Sequence, residues 1–233
     1  MIVARDASER SEQVNIVIRG EQLEVVSQFK YLGSLFTSDN SIDAEINNRV
    51  LSASYAWYNL KKSGAMSNRH LNKYRKVQLF RMIVLSVLLY ASENWTVVTK
   101  HVNQLEVFQM KCLRFICGFT LSDHKRNDRI RRECFDQPSI ESELRFRRLS
   151  WLGHLGRMTD DRLPKKLLFC QVQGNRRRGH SRKGWRELVQ SDLDHTFSRY
   201  CWYASCQNRT SYRELNQDCM YLTLGEVTCV MNE

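Results

Sequence analysis

The sequence predicts a mainly α-helical protein that begins with a short β-hairpin or meander. Apolar residues alternate with polar ones only near the start of the chain, and afterwards they recur at the spacing of amphipathic helices. Only two prolines occur in 233 residues, a scarcity that suits a helical chain better than a turn-rich β-protein. The length fits one large domain or two small ones, and 42% apolar residues are enough for a folded core.

The strand pattern occupies residues 14–33. A turn is expected at residues 19–21, and the aromatic segment 29–32 continues the pattern up to Gly33, which is expected to end the sheet. Residues 2–4 predict one further short strand. The alternating apolar positions are Val14, Ile16, Ile18, Leu23 and Val25.

Three helices are expected next. Ser41 is predicted to cap the first, which ends at Gly64, and Ser67 is predicted to open the second, which continues into a buried apolar run at residues 82–91. The third covers residues 102–116. The apolar stripe of the first helix is Ile42, Ile46, Val50, Ala53, Trp57 and Leu60, and that of the third is Leu105, Phe108, Cys112 and Ile116, with Gly118 as its stop.

The remaining helices are shorter or more basic. Asn127 is expected to cap a short helix, and Ser139 a longer one over residues 140–158. A further helix is predicted from Trp185 to about residue 193. The predicted regions are a hairpin at 1–33, a helical domain at 34–118, a basic region at 119–195 and a poorly defined tail at 196–233, with one helix near 211–217.

The net charge of +11 lies in one stretch. Residues 124–186 carry 18 Lys and Arg against 7 Asp and Glu, which equals the excess of the whole chain. A concentrated basic block favours a polyanionic partner, most simply RNA or DNA, over a solvated surface. The candidate phosphate contacts are Arg145, Arg147, Arg148, Lys165, Lys166, Arg176, Arg177, Arg178, Arg182, Lys183 and Arg186.

Two further side chains of the predicted basic region have to be interpreted, Trp185 and His154. Trp185 follows the glycine-rich basic segment, where it could stack on a base or form the first core residue of the next helix. His154 is better explained as a packed or surface residue beside an apolar helix face than as a functional one.

Catalytic and metal signals are weak. The only adjacent carboxylates, Asp160 and Asp161, lie in a solvated turn rather than between apolar strands, so a two-metal site is not expected there. Two groups contain enough zinc ligands, but neither has the CxxC spacing, and we expect no metal and no cofactor. These groups are Cys112, Cys117, His124 and Cys134, and the tail cysteines Cys201, Cys206, Cys219 and Cys229.

The compartment is expected to be intracellular. Residues 1–12 lack the apolar segment of a signal peptide, and the apolar run at residues 82–91 is too short to span a bilayer. The predicted partners are therefore RNA, DNA or an RNA–DNA hybrid in the nucleus or cytoplasm, and no membrane.

Five stretches in order resemble the C-terminal part of the reverse transcriptase of LINE-type (non-LTR) retrotransposons, especially the RTE-like endonuclease-reverse transcriptases. The resemblance covers roughly residues 15–215, and Trp202 to Leu215 match its closing segment faintly. The stretches are FKYLGSLFTSDNSIDAEINNRV from Phe29, LLYASENW from Leu88, QLEVFQMKCLRFICG from Gln104, IESELRFRRLSWLGHLGRMTDDRLPK from Ile140 and GNRRRGHSRKGWRELVQSDL from Gly174.

The resemblance implies a function. In that family the FKYLG strand belongs to the primer grip at the palm–thumb junction, which implies a primer-grip role for Phe29, Tyr31, Leu32 and Gly33. The helices at 34–118 would then resemble the thumb that holds a template–primer duplex. The basic region would help to hold template RNA or target DNA.

The resemblance also has gaps. The family's catalytic aspartates precede FKYLG and have no counterpart here, so we expect a non-catalytic fragment. The family usually has glycine where this chain has Ala91 and Ser92, and its Gly-Arg-Pro reads Gly179-His180-Ser181 here. These departures imply a decayed or truncated copy.

Three readings remain open. The first is a nucleic-acid-binding reverse transcriptase fragment, and the second is the full RNA-directed DNA polymerase activity of the parent family. The third is an exapted protein-interaction module. Apolar surface that a palm would cover predicts self-association.

Overall fold

The computed structural model describes residues 17–170, 184–196 and 202–221. This part of the chain is mainly helical with short antiparallel strands before the first helix, which confirms the predicted fold class. The strand predicted at residues 2–4 and the positions Val14 and Ile16 lie outside the described residues.

The chain divides into two compact units. The first unit comprises Met1–Ala91 with Val97–Thr120, and the second comprises Ser92–Thr96 with Leu121–Glu233. The boundary predicted near residue 118 lies close to this division. The boundary predicted at residue 33 falls inside the first unit, because the strand that follows Gly33 pairs with the strand before it and packs with the first helix.

The first hairpin is formed by β1, Val17–Ile18, and β2, Glu21–Gln22. Its strands pair antiparallel, with Val17 opposite Gln22. The two linking residues, Arg19 and Gly20, have φ angles of 53° and 86°. A two-residue turn with both φ angles positive matches the twist of an antiparallel pair, so the turn predicted here is confirmed.

The second hairpin is formed by β3, Gln28–Tyr31, and β4, Ser34–Thr37. The turn between them consists of Leu32 and Gly33, with φ angles of 47° and 85°. The prediction that Gly33 ends the sheet is wrong, because this glycine supplies the second positive φ of a tight turn and a strand follows it. We call residues 28–37 the FKYLG hairpin.

Helix α1 is Asp43–Lys62. The cap position is Ile42, which supplies no side-chain hydrogen bond, so the cap predicted at Ser41 is one residue too early. The hydroxyl of Ser41 still accepts a hydrogen bond from the amide of Asp43 at 3.2 Å. Gly64, with a φ of 77°, follows the helix and ends it as predicted. The buried apolar residues of α1 are Ile46, Ala53, Trp57 and Leu60, so most of the predicted stripe faces the core of the first unit.

The second helical stretch contains three segments. Helix α2 is Lys73–Leu79, a π-helical turn covers Phe80–Leu85, and α3 is Ser86–Leu88. The start predicted at Ser67 is wrong, because Asn72 caps α2 and its side chain accepts an amide of the first turn at 2.9 Å.

The apolar run at residues 82–91 is only partly buried. Val84, Leu85 and Leu88 lie in the core, whereas Met82 and Ile83 are exposed. The prediction of a fully buried helix is therefore wrong for one face of this segment.

Helix α4 is Thr99–Cys117. Gly118 follows it in the left-handed conformation, with a φ of 76°, and stops the helix as predicted. The four predicted stripe residues, Leu105, Phe108, Cys112 and Ile116, are all buried.

A buried histidine joins α1 to α4. The Nε2 of His101 lies 2.6 Å from Oδ1 of Asp43, while its Nδ1 accepts the amide of Val98 at 3.3 Å. Because Nδ1 accepts, Nε2 carries the proton that is donated to Asp43. The hydrogen bond from His101, assisted by Lys100, lowers the pKa of Asp43 to about 2.

Ala91 has a conformation that an L-residue rarely adopts, with a φ of 57°. This is a position where the resembling family has glycine. We expect Ala91→Gly to raise the free energy of unfolding by about 1 kcal/mol, because it removes left-handed strain. Urea denaturation of both proteins measures this difference, and equal or lower stability of the variant would contradict it.

The second unit is built from helices. They are α5, Asn127–Glu133; α6, Ile140–Arg157; α7, Leu163–Phe169; α8, Trp185–Thr196; α9, Trp202–Gln207; and α10, Arg209–Tyr221. Short 3-10 turns occur at Ser92–Asn94 and Leu121–Asp123. Ser139 caps α6 as predicted, accepting the amide of Ser142 at 3.1 Å, whereas Asn127 is the first residue of α5 and Arg126 precedes it.

Helix α6 is the centre of the second unit. Leu149 and Leu152 pack against Val189 and Leu193 of α8, with Leu168, Trp185 and Trp202 around them. Helices α9 and α10, in the predicted tail, also pack on α6. None of the helices in the described part of the chain is both long and apolar enough to cross a bilayer.

Two glycines of α6 allow this close packing. A Cβ at Gly153 would lie 2.3 Å from the buried ring of Tyr212, and one at Gly156 would lie 2.6 Å from Sγ of Cys206. The hydroxyl of Tyr212 donates to the carbonyl of Leu149 at 2.8 Å. Residues 151–156, with the sequence WLGHLG, therefore form a contact surface for α9 and α10.

Candidate nucleic-acid interface

The FKYLG hairpin presents an aromatic face to solvent. Phe29 and Tyr31 share a face because they are two residues apart on β3, and Phe36 stands opposite Phe29 in the register. Phe29, Tyr31 and Phe36 are 50%, 58% and 48% exposed. Leu32, at the turn, is also exposed. Exposed aromatic rings at this density can stack on nucleic-acid bases.

The turn of this hairpin is held by side chains of α1 and by Tyr90, which follows α3. The guanidinium of Arg49 donates to the carbonyl of Gly33, and the hydroxyl of Tyr90 donates to the carbonyl of Leu32 at 3.0 Å. A carboxylate oxygen of Glu45 accepts the amide of Leu35 at 2.7 Å.

Arg49 also contacts the other two side chains. Nε of Arg49 donates to the other carboxylate oxygen of Glu45 at 2.7 Å, and both residues are buried. The guanidinium carbon of Arg49 lies 4.6 Å from the ring centroid of Tyr90, a cation–π contact. We call Glu45, Arg49 and Tyr90 the hairpin clamp.

The basic face predicted on α6 is partly internal. Nε of Arg148 lies 2.7 Å from Asp192 of α8, and these side chains are 6% and 9% exposed. Arg145 approaches the same carboxylate at 3.5 Å and Glu141 at 3.7 Å. The prediction of an exposed phosphate contact is wrong for Arg148, because its guanidinium is buried in an ion pair.

Lys165 is also engaged inside the second unit. Its ammonium donates to the carbonyl of Met158 at 2.7 Å and lies 2.8 Å from Asp160. The Asp160 carboxylate, the largest influence, raises the pKa of Lys165. Its neighbour Lys166 is exposed and faces solvent as the prediction requires.

Arg186 connects α8 to the end of α7. Its guanidinium donates to the carbonyls of Leu167 and Cys170, at 2.8 and 3.0 Å. Arg147, on α6, is half-buried. The remaining predicted contacts, Arg176, Arg177, Arg178, Arg182 and Lys183, lie outside the described residues.

The structure decides between the two interpretations of Trp185. Its indole nitrogen donates to the carbonyl of Glu93 at 2.7 Å, and its ring packs on the core between α6 and α8. Trp185 is thus a core residue of its helix. His154 is exposed, with its ring 5.2 Å from that of Trp151.

Asp160 and Asp161 lie in an exposed turn between α6 and α7, and Asp160 is paired with Lys165. Over the described ranges, no three His, Cys, Asp or Glu side chains converge in a way that could hold a metal ion. Cys112 is buried and Cys117 is partly buried in the first unit, while Cys134 is buried and His124 is exposed in the second. Burial raises the pKa of Cys112 to about 12, which keeps its thiol protonated.

No local sequence pattern indicates the hairpin clamp. Glu45 and Arg49 have the spacing of a helical ion pair, but that spacing is usually found on solvated faces. Tyr90 lies in LLYASENW, one of the stretches of family resemblance, yet its distance of 58 residues from Leu32 gave no local signal. The clamp can be recognised only from the tertiary contacts that these side chains make with the hairpin.

Comparison with known proteins gives a distant relative. The chain is 30% identical over 144 residues to a protein of Caenorhabditis elegans that is named as an uncharacterised, transposon-derived protein. This region is 60% of the chain and 50% of that protein, so the chain spans about half the length of its relative. No family model and no solved structure matches the chain. The similarity supports a transposon-derived origin.

Proposed function

We propose that this chain is a transposon-derived nucleic-acid-binding protein, equivalent to the primer grip, thumb and basic C-terminal region of a LINE-type reverse transcriptase. The observation that carries the proposal is the FKYLG hairpin, whose aromatic face is exposed while its turn is tied to α1 and Tyr90. A primer grip needs this combination of a fixed backbone and accessible rings.

The Caenorhabditis elegans relative supports the transposon-derived origin of the chain. It is transposon-derived by name, and retroelement reverse transcriptases are one class of transposon protein. The five ordered stretches of resemblance narrow the proposal to the LINE type. Of these, FKYLG and LLYASENW meet in the contact between Leu32 and Tyr90.

The distribution of positive charge supports a nucleic-acid ligand. RNA, DNA and RNA–DNA hybrids present a regular array of phosphates, and the block at residues 124–186 carries the entire excess positive charge. Lys166 is exposed, and the arginines at 176–178 lie in the same block. Binding through phosphates would be largely independent of base sequence.

We propose that the chain binds without catalysing polymerisation. Two-metal phosphoryl transfer requires converging carboxylates. Asp160 and Asp161 are exposed in a turn, and Asp160 is paired with Lys165, so this carboxylate pair is not arranged as such a site. Primer extension by the purified chain would instead favour the full polymerase activity.

A second candidate is a protein-interaction module that self-associates. Leu51, Tyr55 and Tyr58 form an exposed apolar stripe on α1, opposite its buried face. Sedimentation analysis after nuclease treatment separates the candidates. Oligomers that persist without nucleic acid and dissociate in Tyr55→Glu favour this alternative.

The arginines at 176–178 are expected to contribute to the salt dependence of nucleic-acid binding. Replacing Arg176, Arg177 and Arg178 with alanine should flatten the slope of log affinity against log salt by up to about three phosphate contacts. Fluorescence anisotropy with a labelled RNA–DNA hybrid measures this slope. The matched control replaces all three with lysine, which keeps the charge and should keep the slope. An unchanged slope in the alanine variant would contradict the assignment.

A further inference from the structure

We propose that the hairpin clamp positions the aromatic face of the FKYLG hairpin against nucleic-acid bases, so that Glu45, Arg49 and Tyr90 are positioning residues for binding. This inference rests on the proposed function. It assigns a binding role to residues that need not touch the ligand.

The need for a clamp follows from the hairpin's size. Two strands of four residues, exposed along β3, bury too little surface to hold a fixed orientation by themselves. Phe29 and Tyr31 would therefore sample many orientations without an external support. Fixing rings before a ligand arrives lowers the entropic cost of binding.

The clamp provides that support through the main chain. Its hydrogen bonds reach three main-chain groups of the hairpin, namely the carbonyls of Leu32 and Gly33 and the amide of Leu35. The carbonyls lie at the tip and the amide lies at the start of β4. The clamp therefore restrains the turn and the returning strand together.

The clamp is itself rigid. Glu45 and Arg49 are paired and buried on α1, and each directs a second hydrogen-bonding group to the hairpin. A buried, doubly bonded guanidinium has few alternative rotamers. Tyr90 packs against Arg49, so the movement of either ring or guanidinium is restricted by the other.

The geometry also explains the glycine of FKYLG. Gly33 has a φ of 85°, and a Cβ there would lie 3.8 Å from the Tyr90 ring and 4.0 Å from the Arg49 guanidinium. The space would accept a methyl group, so the backbone angle rather than crowding favours glycine.

The ligand class follows from the presented surface. Three aromatic rings on one face favour unpaired bases or an accessible strand end, which stack on aromatic side chains whatever their sequence. We therefore expect the hairpin to contact bases at a primer terminus or single-stranded segment. The basic block would contact phosphates.

Tyr90→Phe tests the inference, because it removes one hydroxyl and retains the ring beside Arg49. In the full chain, hydrogen exchange of residues 28–37 should become about fivefold faster, corresponding to the loss of one hydrogen bond. Tyr58→Phe, an exposed tyrosine of α1, is the matched control and should leave exchange in the hairpin unchanged. Unchanged exchange in Tyr90→Phe would overturn the inference.

A double-mutant cycle tests the connection to binding. Tyr90→Phe should weaken affinity for a recessed RNA–DNA primer–template about three- to fivefold in the wild-type background, and have a smaller effect when Phe29→Ala is present. Its effect should remain in Lys166→Ala. An equal loss in the Phe29→Ala background would overturn the inference, because Tyr90 would then act elsewhere.

The two readouts separate the two proposals. If wild-type protein binds no nucleic acid, the proposed function fails and the role in binding falls with it. Faster exchange in Tyr90→Phe would then still support the clamp as a device that holds the hairpin. If the wild-type protein binds nucleic acid strongly and Tyr90→Phe leaves hydrogen exchange in the hairpin unchanged, the positioning role of the clamp is wrong while the proposed function stands.

Discussion

Replacing Asp192 with alanine is expected to destabilise the second unit by about 3–5 kcal/mol, because it leaves the guanidinium of Arg148 buried without its carboxylate partner. The loss should be large because Arg145 also approaches this carboxylate. Urea denaturation followed by tryptophan fluorescence is a suitable measurement, since four of the five tryptophans lie in the second unit.

The controls for Asp192 separate charge burial from loss of a side chain. Asp194→Ala removes an exposed carboxylate of the same helix and should change stability by no more than about 0.5 kcal/mol. Combining Asp192→Leu with Arg148→Met replaces the pair by apolar side chains and should recover most of the loss. If Asp192→Ala is as stable as Asp194→Ala, the buried pair does not exist.

Gly153→Ala is expected to have the second large effect. The new methyl group would lie 2.3 Å from the ring of Tyr212, so α10 must move away from α6. We expect a loss of about 1–3 kcal/mol in the free energy of unfolding, with strain on the hydrogen bond between Tyr212 and the carbonyl of Leu149.

His154→Ala is the control for Gly153, because it places alanine at the neighbouring, exposed position of the same helix. Its effect should stay within about 0.5 kcal/mol. A stabilising Gly153→Ala would mean that α10 does not pack on this glycine. Alanine would then only improve the helix propensity of α6.

Local sequence patterns predicted the helices that have clear signals at their ends. Ser139 caps α6 and Gly118 stops α4, and both effects depend only on neighbouring backbone groups. Helix α1, in the first unit, was likewise predicted from its apolar stripe. The start of α2 was misplaced because Ser67 and Asn72 are both good caps, and packing rather than local sequence selects between them.

The candidate site was harder to predict because it depends on distant contacts. Arg148 was expected on a basic face because its helical position departs from the apolar stripe, but Asp192, 44 residues away, draws it into the core. Phe29 and Tyr31 were identified through family resemblance, whereas the clamp that holds their hairpin depends on Arg49 and Tyr90 from later in the chain.

The proposed function requires that this chain bind nucleic acid through the phosphates of its ligand. The most direct measurement is the affinity of the full-length protein for a labelled RNA–DNA hybrid over roughly 50 to 200 mM salt, followed by fluorescence anisotropy. We predict that log affinity falls linearly with log salt, with a slope of about −3 or steeper, as for at least three neutralised phosphates. Absence of binding at the lowest salt, or an affinity that does not change with salt, would contradict the claim.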